Sequence, residues 1–425
     1  MTRRTLTKTA WGVAALLPLG LLAPLAPAAA QPAGPSSPPV AAAYAHLDES
    51  MDEWASAPAL RLPSSYHGGA LDNWDNSVTY DNALVIIAYL AHTGGGAAGA
   101  DARQRARTMG DALLRLQSGD PAGDGRVRNA YGPERLFSSS GAPNIQSPGT
   151  ATGNNAWAGM ALAQLAHATG DVRYRDGARA LGSWILTHTR DTRGAGGFTG
   201  GINGDGSVVR WKSSEHNIDA IGLFGMLSAI DPDPRWAQAQ AHASGFLDAM
   251  WVPSEGRFAI GSRADGVTVN NDEYIPEDVQ SWAYLATRHS GYRAGLDWNT
   301  NHLEVTDRTN PAAPITGVGF ARQTNPAQLS HNDDTVWLEG TGHMALALRC
   351  SGTAAHAATA QRYLASIEQA QRSGPDADGR GIPANSRVGY AGGDDLNVTS
   401  LHTGATAWYL LADARMNPFV LGARC

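Results

Sequence analysis

Apolar residues recur at helical spacing along the whole chain, in segments of two alternating kinds. Segments of the first kind have one apolar stripe and one charged face, as helices on a protein surface do. They cover residues 40–57, 102–118, 172–190, 233–251, 354–372 and, more weakly, 292–298. Segments of the second kind are apolar nearly all round, so we expect both of their sides to be buried. They cover residues 81–92, 154–169, 215–230, 277–288, 339–349 and 403–414.

Six buried helices that alternate with six surface helices predict two concentric rings. The fold class is therefore all-α, an (α/α)6 barrel of six helical hairpins. The register of the buried helices supports this prediction, because aligning their tryptophan and alanine patterns places one residue of each helix at a common position. Those residues are Tyr80, Gly153, Glu215, Asp278, Glu339 and Gly404. The last four follow one another at intervals of 63, 61 and 65 residues.

Stretches rich in glycine and aspartate separate each surface helix from the buried helix that follows it. Examples are residues 123–125, 196–206, 265–266 and 378–379. They are longer than tight turns require, whereas the connection at residues 169–171 is short. We expect the long loops to form one rim of the barrel and to carry its chemistry.

The N-terminal residues 1–30 have the features of an export signal that is removed from the mature protein. Arg3 and Arg4 stand before an apolar stretch, as in twin-arginine signals, and small residues end the segment. A linker rich in proline and serine follows at 31–39, and residues 40–425 form a single domain. We therefore expect a secreted, monomeric protein without a membrane anchor.

The net charge of the chain narrows the kinds of molecule that it is expected to bind. Removal of residues 1–30 changes the formal charge from −7 to −10, which disfavours nucleic acid and, more weakly, an anionic polysaccharide as a partner.

The chain holds two cysteines, Cys350 and Cys425. Outside the cell they could form a disulfide, but the sequence does not give their separation and both states stay open.

Two short runs add a resemblance. Residues 116–119 read Leu-Gln-Ser-Gly and residues 152–157 read Thr-Gly-Asn-Asn-Ala-Trp. Together with the helix spacing, they resemble the six-hairpin glycosidase superfamily over residues 40–419, without pointing to one family within it. Residues 212–217 also resemble secreted actinobacterial proteins of unassigned role. The resemblance implies an (α/α)6 barrel that acts on a carbohydrate.

Three consecutive buried helices carry an acid at the common position: Glu215, Asp278 and Glu339. Glycosidic bond hydrolysis needs one carboxylic acid to protonate the leaving oxygen and one carboxylate to activate water or attack the sugar. We assign Glu215 as general acid, Glu339 as base and Asp278 as a third candidate. The alternative is that each acid only favours the positive end of a helix.

Further residues at the same rim are candidates for substrate binding, because they are aromatic, amide, imidazole or charged groups close to the acids or to helix starts. They are Tyr80, Asp81, Asn155, Trp211, Lys212, His216, Asn217, Trp337 and His402. Asp81 could equally be a helix cap.

The chain holds 12 tryptophans. We expect Trp157, Trp282 and Trp408 to lie mainly in the core, whereas Trp211 and Trp337 fit either a sugar platform or the core. No two of the histidines at these helix starts share a ligand spacing on one helix, so we expect no metal and no other cofactor. A Gly-x-Ser-x-Gly elbow is absent from the sequence, which disfavours a serine hydrolase.

Three hypotheses remain open. The first is a glycoside hydrolase that cleaves a neutral glycan. The second is a polysaccharide lyase on the same scaffold, for which Asn217, His216 and Tyr80 could supply the neutralising and basic groups. The third is a glycan-binding protein without catalytic activity, in which the acids are caps and the tryptophans bind the ligand.

Overall fold

The computed structural model describes residues 37–54, 60–393 and 396–425. The predicted export signal at 1–30 and most of the 31–39 linker lie outside these residues, as do residues 55–57 of the first predicted surface helix. Within the described residues there are twelve α-helices, and they match the twelve predicted segments. The surface helices are α1 (Pro38–Asp52), α3 (Gly96–Gly119), α5 (Val172–His188), α7 (Arg235–Met250), α9 (Arg293–His302) and α11 (Ala354–Ser373). The buried helices are α2 (Thr79–Ala91), α4 (Thr152–Thr169), α6 (Ser214–Ile230), α8 (Glu277–Thr287), α10 (Leu338–Ser351) and α12 (Thr403–Asp413).

The buried helices form a closed ring. Each packs against the next in the order α2, α4, α6, α8, α10 and α12, and α12 packs against α2. The other six form an outer ring around them, with α5 on α4, α7 on α6, α9 on α8 and α11 on α10. The (α/α)6 prediction is confirmed, including its weakest member, which is the short helix α9.

The two rings follow from the two hydrophobic patterns. Helix α5 buries Tyr174, Ala178, Leu181 and Ile185, which are spaced as one stripe, and leaves its other face in water. In α6, by contrast, all residues from Asn217 to Phe224 are buried. A helix of this kind is stable only with apolar neighbours on every side, which is the situation in the inner ring.

The short β-strands all lie in the loops that run from an outer helix to the next inner helix. They are β1 (Tyr66–His67), β2 (Ser77–Val78), β3 (Ala130–Tyr131), β4 (Ile145–Ser147), β5 (Thr150–Ala151), β6 (Gly201–Ile202), β7 (Val208–Val209), β8 (Trp251–Val252), β9 (Arg257–Phe258), β10 (Gly261–Ser262), β11 (Val269–Asn270), β12 (Tyr274–Pro276), β13 (Glu304–Asp307), β14 (Ile315–Val318), β15 (Ala321–Gln323) and β16 (Leu401–His402). They pair antiparallel in seven small sheets, and β1 pairs with β16 from the other end of the chain. These loops form one elaborated rim, as predicted.

The opposite rim has short connections. Helix α4 ends at Gly170, whose φ of 71° is left-handed, and Asp171 then caps α5 by accepting a hydrogen bond from the Arg173 N–H. Helices α10 and α11 are joined in the same way through Gly352 and Thr353. All six hairpins therefore carry their long loops at the same end.

One polar residue in each inner helix, three places after the first helical residue, binds a neighbouring loop. The Asn155 amide pairs with both backbone groups of Val127, and the Asn217 amide does the same with Phe198. Gln280 binds Phe258 in this way, and Thr341 and Thr406 each accept one loop N–H. Asn82 binds Ser77 and the carbonyl of Val78. We call these six side chains the loop clamps.

The segment after α12 closes the far end of the inner ring. Phe419 is buried against Trp157 and Trp282, with ring centroids 5.1 and 5.6 Å away. Asn417 donates to the carbonyl of Leu285, and Cys425 forms a disulfide with Cys350 of α10. The cysteine pairing that the sequence left open is thus present.

No helix in residues 37–54, 60–393 and 396–425 has the length and apolar character needed to cross a membrane.

The disulfide links residues 75 positions apart, so its loss should enlarge the conformational freedom of the unfolded chain. We expect the double variant Cys350→Ser/Cys425→Ser to be less stable by about 2–5 kcal/mol. Urea unfolding followed by tryptophan fluorescence measures this loss. Dithiothreitol should destabilise the wild type to the same level and leave the double variant unchanged. Equal midpoints for the two proteins would contradict the prediction.

Candidate functional site

Every inner helix presents its second residue at the loop-bearing rim. The six residues aligned from the sequence occupy this position without exception: Tyr80, Gly153, Glu215, Asp278, Glu339 and Gly404. Tyr80, Gly153 and the three acids line one cavity of about 290 Å³ inside this rim, which we call the inner cavity. Side chains that are far apart along the chain thus meet at one mouth.

A larger cavity of about 580 Å³, which we call the outer cavity, adjoins the inner one. Glu215, His216, Asp278 and Phe320 line both, so two of the acids stand at their junction. Trp211 borders the outer cavity with 40% of its surface exposed. The combined space has the size of a cleft for a small organic ligand.

Burial controls the ionisation of two acids. It raises the pKa of Glu215 to about 8, and the nearby Asp278 and Glu339 carboxylates add to the effect. Burial and the adjacent Glu277 raise the pKa of Asp278 to about 7. The positive end of a helix favours an ionised acid, but desolvation outweighs it here. The shift therefore favours the protonated form of Glu215 at neutral pH.

Glu339 has a different environment. The Tyr80 hydroxyl donates to its Oε1 at 2.5 Å, and the Trp408 indole in turn donates to the Tyr80 oxygen at 2.8 Å. His402 Nδ1 lies 3.4 Å from Oε2. Burial raises the pKa of Glu339, while His402 and the Tyr80 hydrogen bond act in the opposite direction. Of the three acids, Glu339 has the strongest hydrogen bonding to its charged form.

Asp81 and His402 form a buried pair beside Glu339. His402 Nε2 lies 3.2 Å from Asp81 Oδ1, and the Ala405 N–H lies 3.3 Å from His402 Nδ1. Burial lowers the pKa of His402, but Asp81 and Glu339 outweigh it and the net shift is upward. Gly404 makes this pair possible, since a Cβ there would lie 2.6 Å from the Asp81 carboxylate.

Asn155 and Asn217 line neither cavity, whereas Lys212 borders the outer one. Asn155 and Asn217 are loop clamps, and both functional groups of each amide are used by loop backbone. The Lys212 ammonium is buried, donates to the Arg193 carbonyl at 2.7 Å and lies 3.5 Å from an Asp191 oxygen. These polar groups hold loops in place, and a role for these residues in substrate binding stays a prediction from the sequence.

The remaining predicted residues lie at or beside the cleft. Trp337 is half-buried and lines the inner cavity with Tyr80. His216 lines both cavities, and burial lowers its pKa to about 4, so its ring is neutral at neutral pH. Asp81 and His402 line neither cavity. They lie behind Glu339, where His402 contacts both Asp81 and Glu339.

The residues one turn below the rim form the cleft floor. Trp157, Trp282 and Trp408 are almost fully buried there and contact one another, with centroids 5.3 to 5.9 Å apart. Their prediction as core residues is confirmed, and Trp157 and Trp282 also line the inner cavity. Sequence reasoning missed Asp219, which occupies the same layer on α6. Its signal was present, since it is an acid four residues after Glu215 in an otherwise apolar helix.

Sequence reasoning also missed Glu277. Its carboxylate is fully buried and lies 2.7 Å from Nδ1 of His343, and burial raises its pKa well above the ordinary value. In the described part of the chain, no three histidine, cysteine, aspartate or glutamate side chains are arranged to hold a metal ion.

Comparison with known proteins supports the fold. No family model and no curated protein matches the sequence. Among solved structures, a family 76 mannosidase from Bacteroides thetaiotaomicron is similar with a TM-score of 0.60 at 12% identity, over 89% of this chain and 98% of that one. A cellobiose 2-epimerase from Spirochaeta thermophila has a TM-score of 0.62 at 14% identity, over 88% and 96%. A novel α-amylase from Clostridium perfringens has a TM-score of 0.59 at 9% identity, over 90% and 99%.

The chain therefore shares its (α/α)6 fold with these proteins, and this is the fold that the sequence predicts. Its scaffold is shared by glycoside hydrolases and by sugar epimerases. Identities this low establish the fold and leave function to the site itself.

The raised pKa of Glu215 predicts how the stability of the protein depends on pH. Its folded pKa of about 8 lies above the ordinary value of 4.5, so the wild type should lose stability as pH rises from about 4.5 through 8. Glutamine does not ionise, so we expect Glu215→Gln to be more stable than the wild type by about 3–5 kcal/mol at pH 9, with little difference at pH 4. Urea unfolding across this pH range measures the difference.

The control is Glu134→Gln, because Glu134 is exposed. Its difference from the wild type should stay small at every pH. If the Glu215→Gln difference is equally flat with pH, Glu215 does not control stability as described.

Proposed function

We propose that the protein is a glycoside hydrolase that cleaves a bond in a neutral poly- or oligosaccharide. The observation that carries this proposal is the convergence of Glu215, Asp278 and Glu339 on one cleft. Hydrolysis of a glycosidic bond uses such a pair, one protonated and one ionised. The exposed indole of Trp211 and the half-buried one of Trp337 offer flat apolar faces to sugar rings.

The environments of the acids assign their roles. Glu215 is protonated at neutral pH and serves as general acid for the leaving oxygen. Glu339 accepts the Tyr80 hydrogen bond, which favours its charged form, and serves as base. The charge of Asp278 raises the proton affinity of Glu215, which supports the same division of labour.

The charge of the cleft favours a neutral substrate. Arg263 borders the outer cavity, but it is paired with Asp272 and Glu273. The Lys212 ammonium is engaged elsewhere. An anionic polysaccharide would meet three carboxyl groups without a free cation among the described lining residues. A lyase is disfavoured further because Asn217, its suggested neutralising group, is a loop clamp.

A second candidate function is sugar epimerisation or isomerisation. His216 lies on the cleft with a neutral ring, and its Nδ1 is buried without a hydrogen-bond partner among the described residues. A neutral imidazole at that place could remove a proton next to a sugar carbonyl. Product analysis separates the two functions, since hydrolysis creates new reducing ends and epimerisation does not.

We also propose that the mature protein acts outside the cell as a monomer, after removal of its first thirty residues. The twin-arginine pattern at Arg3 and Arg4 supports export. Mass spectrometry of the protein recovered from a culture medium, together with light scattering, tests both points.

The catalytic assignment predicts the effect of two substitutions. On a substrate found by screening neutral and acidic polysaccharides, Glu215→Gln and Glu339→Gln should each lower kcat by at least about a hundredfold, the size expected for a lost acid or base. Release of reducing ends measures the rate, and the exposed Glu134→Gln is the control. The wild-type rate should also fall as pH rises through about 8, when Glu215 loses its proton.

Other results would point elsewhere. Products that absorb near the ultraviolet edge would identify a lyase. Binding without turnover, unchanged in Glu215→Gln, would identify a glycan-binding protein. Turnover that neither substitution lowers would contradict the assigned roles.

A further inference from the structure

Asp219 is a buried acid that the hydrolytic mechanism does not use. It lies one turn below Glu215 on α6, is fully buried and lines the inner cavity. Neither of its carboxyl oxygens has a hydrogen bond of good geometry from a described residue, although the Trp157 indole N–H is near enough to lower the pKa of Asp219. A buried polar group without a partner destabilises the fold. Its position on a cavity wall indicates a partner that enters through the cavity.

The surrounding helix is shaped to leave this carboxyl open. At Gly153, on the neighbouring helix α4, an added Cβ would lie 2.9 Å from Asp219 Oδ2 and 2.7 Å from the His216 ring. Any other residue there would cover the carboxyl and fill the space above it. The glycine thus keeps a path from the inner cavity to Asp219.

The partner is not a metal ion. In residues 37–54, 60–393 and 396–425 no three acidic, histidine or cysteine side chains have the arrangement that holds one. Burial raises the pKa of Asp219 well above its ordinary value, and the charges of Glu215 and Asp278 add to this, while the adjacent Trp157 indole offsets only part of it. His216 is neutral and contributes no charge. A neutral carboxylic acid both donates and accepts one hydrogen bond.

We propose that the carboxyl group of Asp219 binds a hydroxyl group of the sugar ring that occupies the inner cavity, and that it selects sugars which place a hydroxyl there. A hydroxyl is the complement of a neutral carboxyl, since it also donates and accepts. Trp157 and Trp282, which line the same cavity, would flank the apolar part of that ring. The inference rests on the proposed action on carbohydrates and names the side chain that recognises the sugar.

Binding measurements test it without turnover. Wild type, Asp219→Asn and Asp219→Leu are titrated by ligand-observed NMR with the methyl α- and β-glycosides of glucose, mannose and galactose. Ser228→Ala is the control, because Ser228 lies on the same helix and bonds only to its own helix at Phe224. We expect Asp219→Leu to weaken the best ligand about 10- to 100-fold, as for a hydroxyl left without its partner. Asparagine also donates and accepts, so Asp219→Asn should bind within a few-fold of the wild type near pH 6.

Two further readouts identify a direct contact. Among monodeoxy analogues of the best ligand, one should bind equally well to wild type and Asp219→Leu, because it lacks the hydroxyl in question. As pH rises into the alkaline range, the wild type should lose affinity more steeply than Asp219→Asn, whose amide does not ionise. Asp219→Asn keeps the test decisive if the leucine variant does not fold.

The failures of the two proposals are distinguishable. If the wild type binds none of these glycosides, the carbohydrate function itself is contradicted. If it binds one and both Asp219 variants bind that glycoside equally tightly, Asp219 does not contact the ligand. The same conclusion follows if every deoxy analogue loses affinity by the same factor in wild type and in Asp219→Leu.

Discussion

The site depends on carboxyl groups that are held out of water without a strong cation beside them. In the described part of the chain, no lysine or arginine forms an ion pair with Glu215, Asp278 or Glu339. Removing an acid from water favours its neutral form, and several acids in one space reinforce that effect. The positive ends of the inner helices compensate only in part. The folded ring must therefore supply enough packing energy to tolerate a destabilising centre, which its aromatic floor and large buried surface provide.

Much of this architecture was predictable from sequence, because each helix class has its own hydrophobic period. Helices apolar on all sides had to lie inside, and the common register of Tyr80, Glu215 and Glu339 had to bring them to one rim. The residues in this register occupy the second position of their inner helices. Even α9, the least regular outer segment, is present as a helix.

What the sequence could not provide is the direction in which a polar side chain points. Asn155 and Asn217 stand two residues from the rim position, close enough to suggest a ligand role, yet the helical rotation turns them toward the loops. Asp219 stands four residues away, which returns it to the cavity side. The same rotation explains why the two amides bind loops and why Asp219 was missed. The partnership of Asp81 with His402, 321 residues apart, required the closed ring itself.

The loop clamps separate the task of holding the rim acids in place from the task of varying the loops. These two tasks often conflict during evolution. Each clamp holds the loop backbone at a fixed point beside its own helix, so the rim acids keep their places whatever the loop does beyond that point. Segments between clamps can therefore be lengthened, shortened or exchanged with those of other barrels while the positions of the rim acids are retained. The scaffold is suited to laboratory recombination, in which new loops would alter the choice of ligand and leave the inner helices untouched.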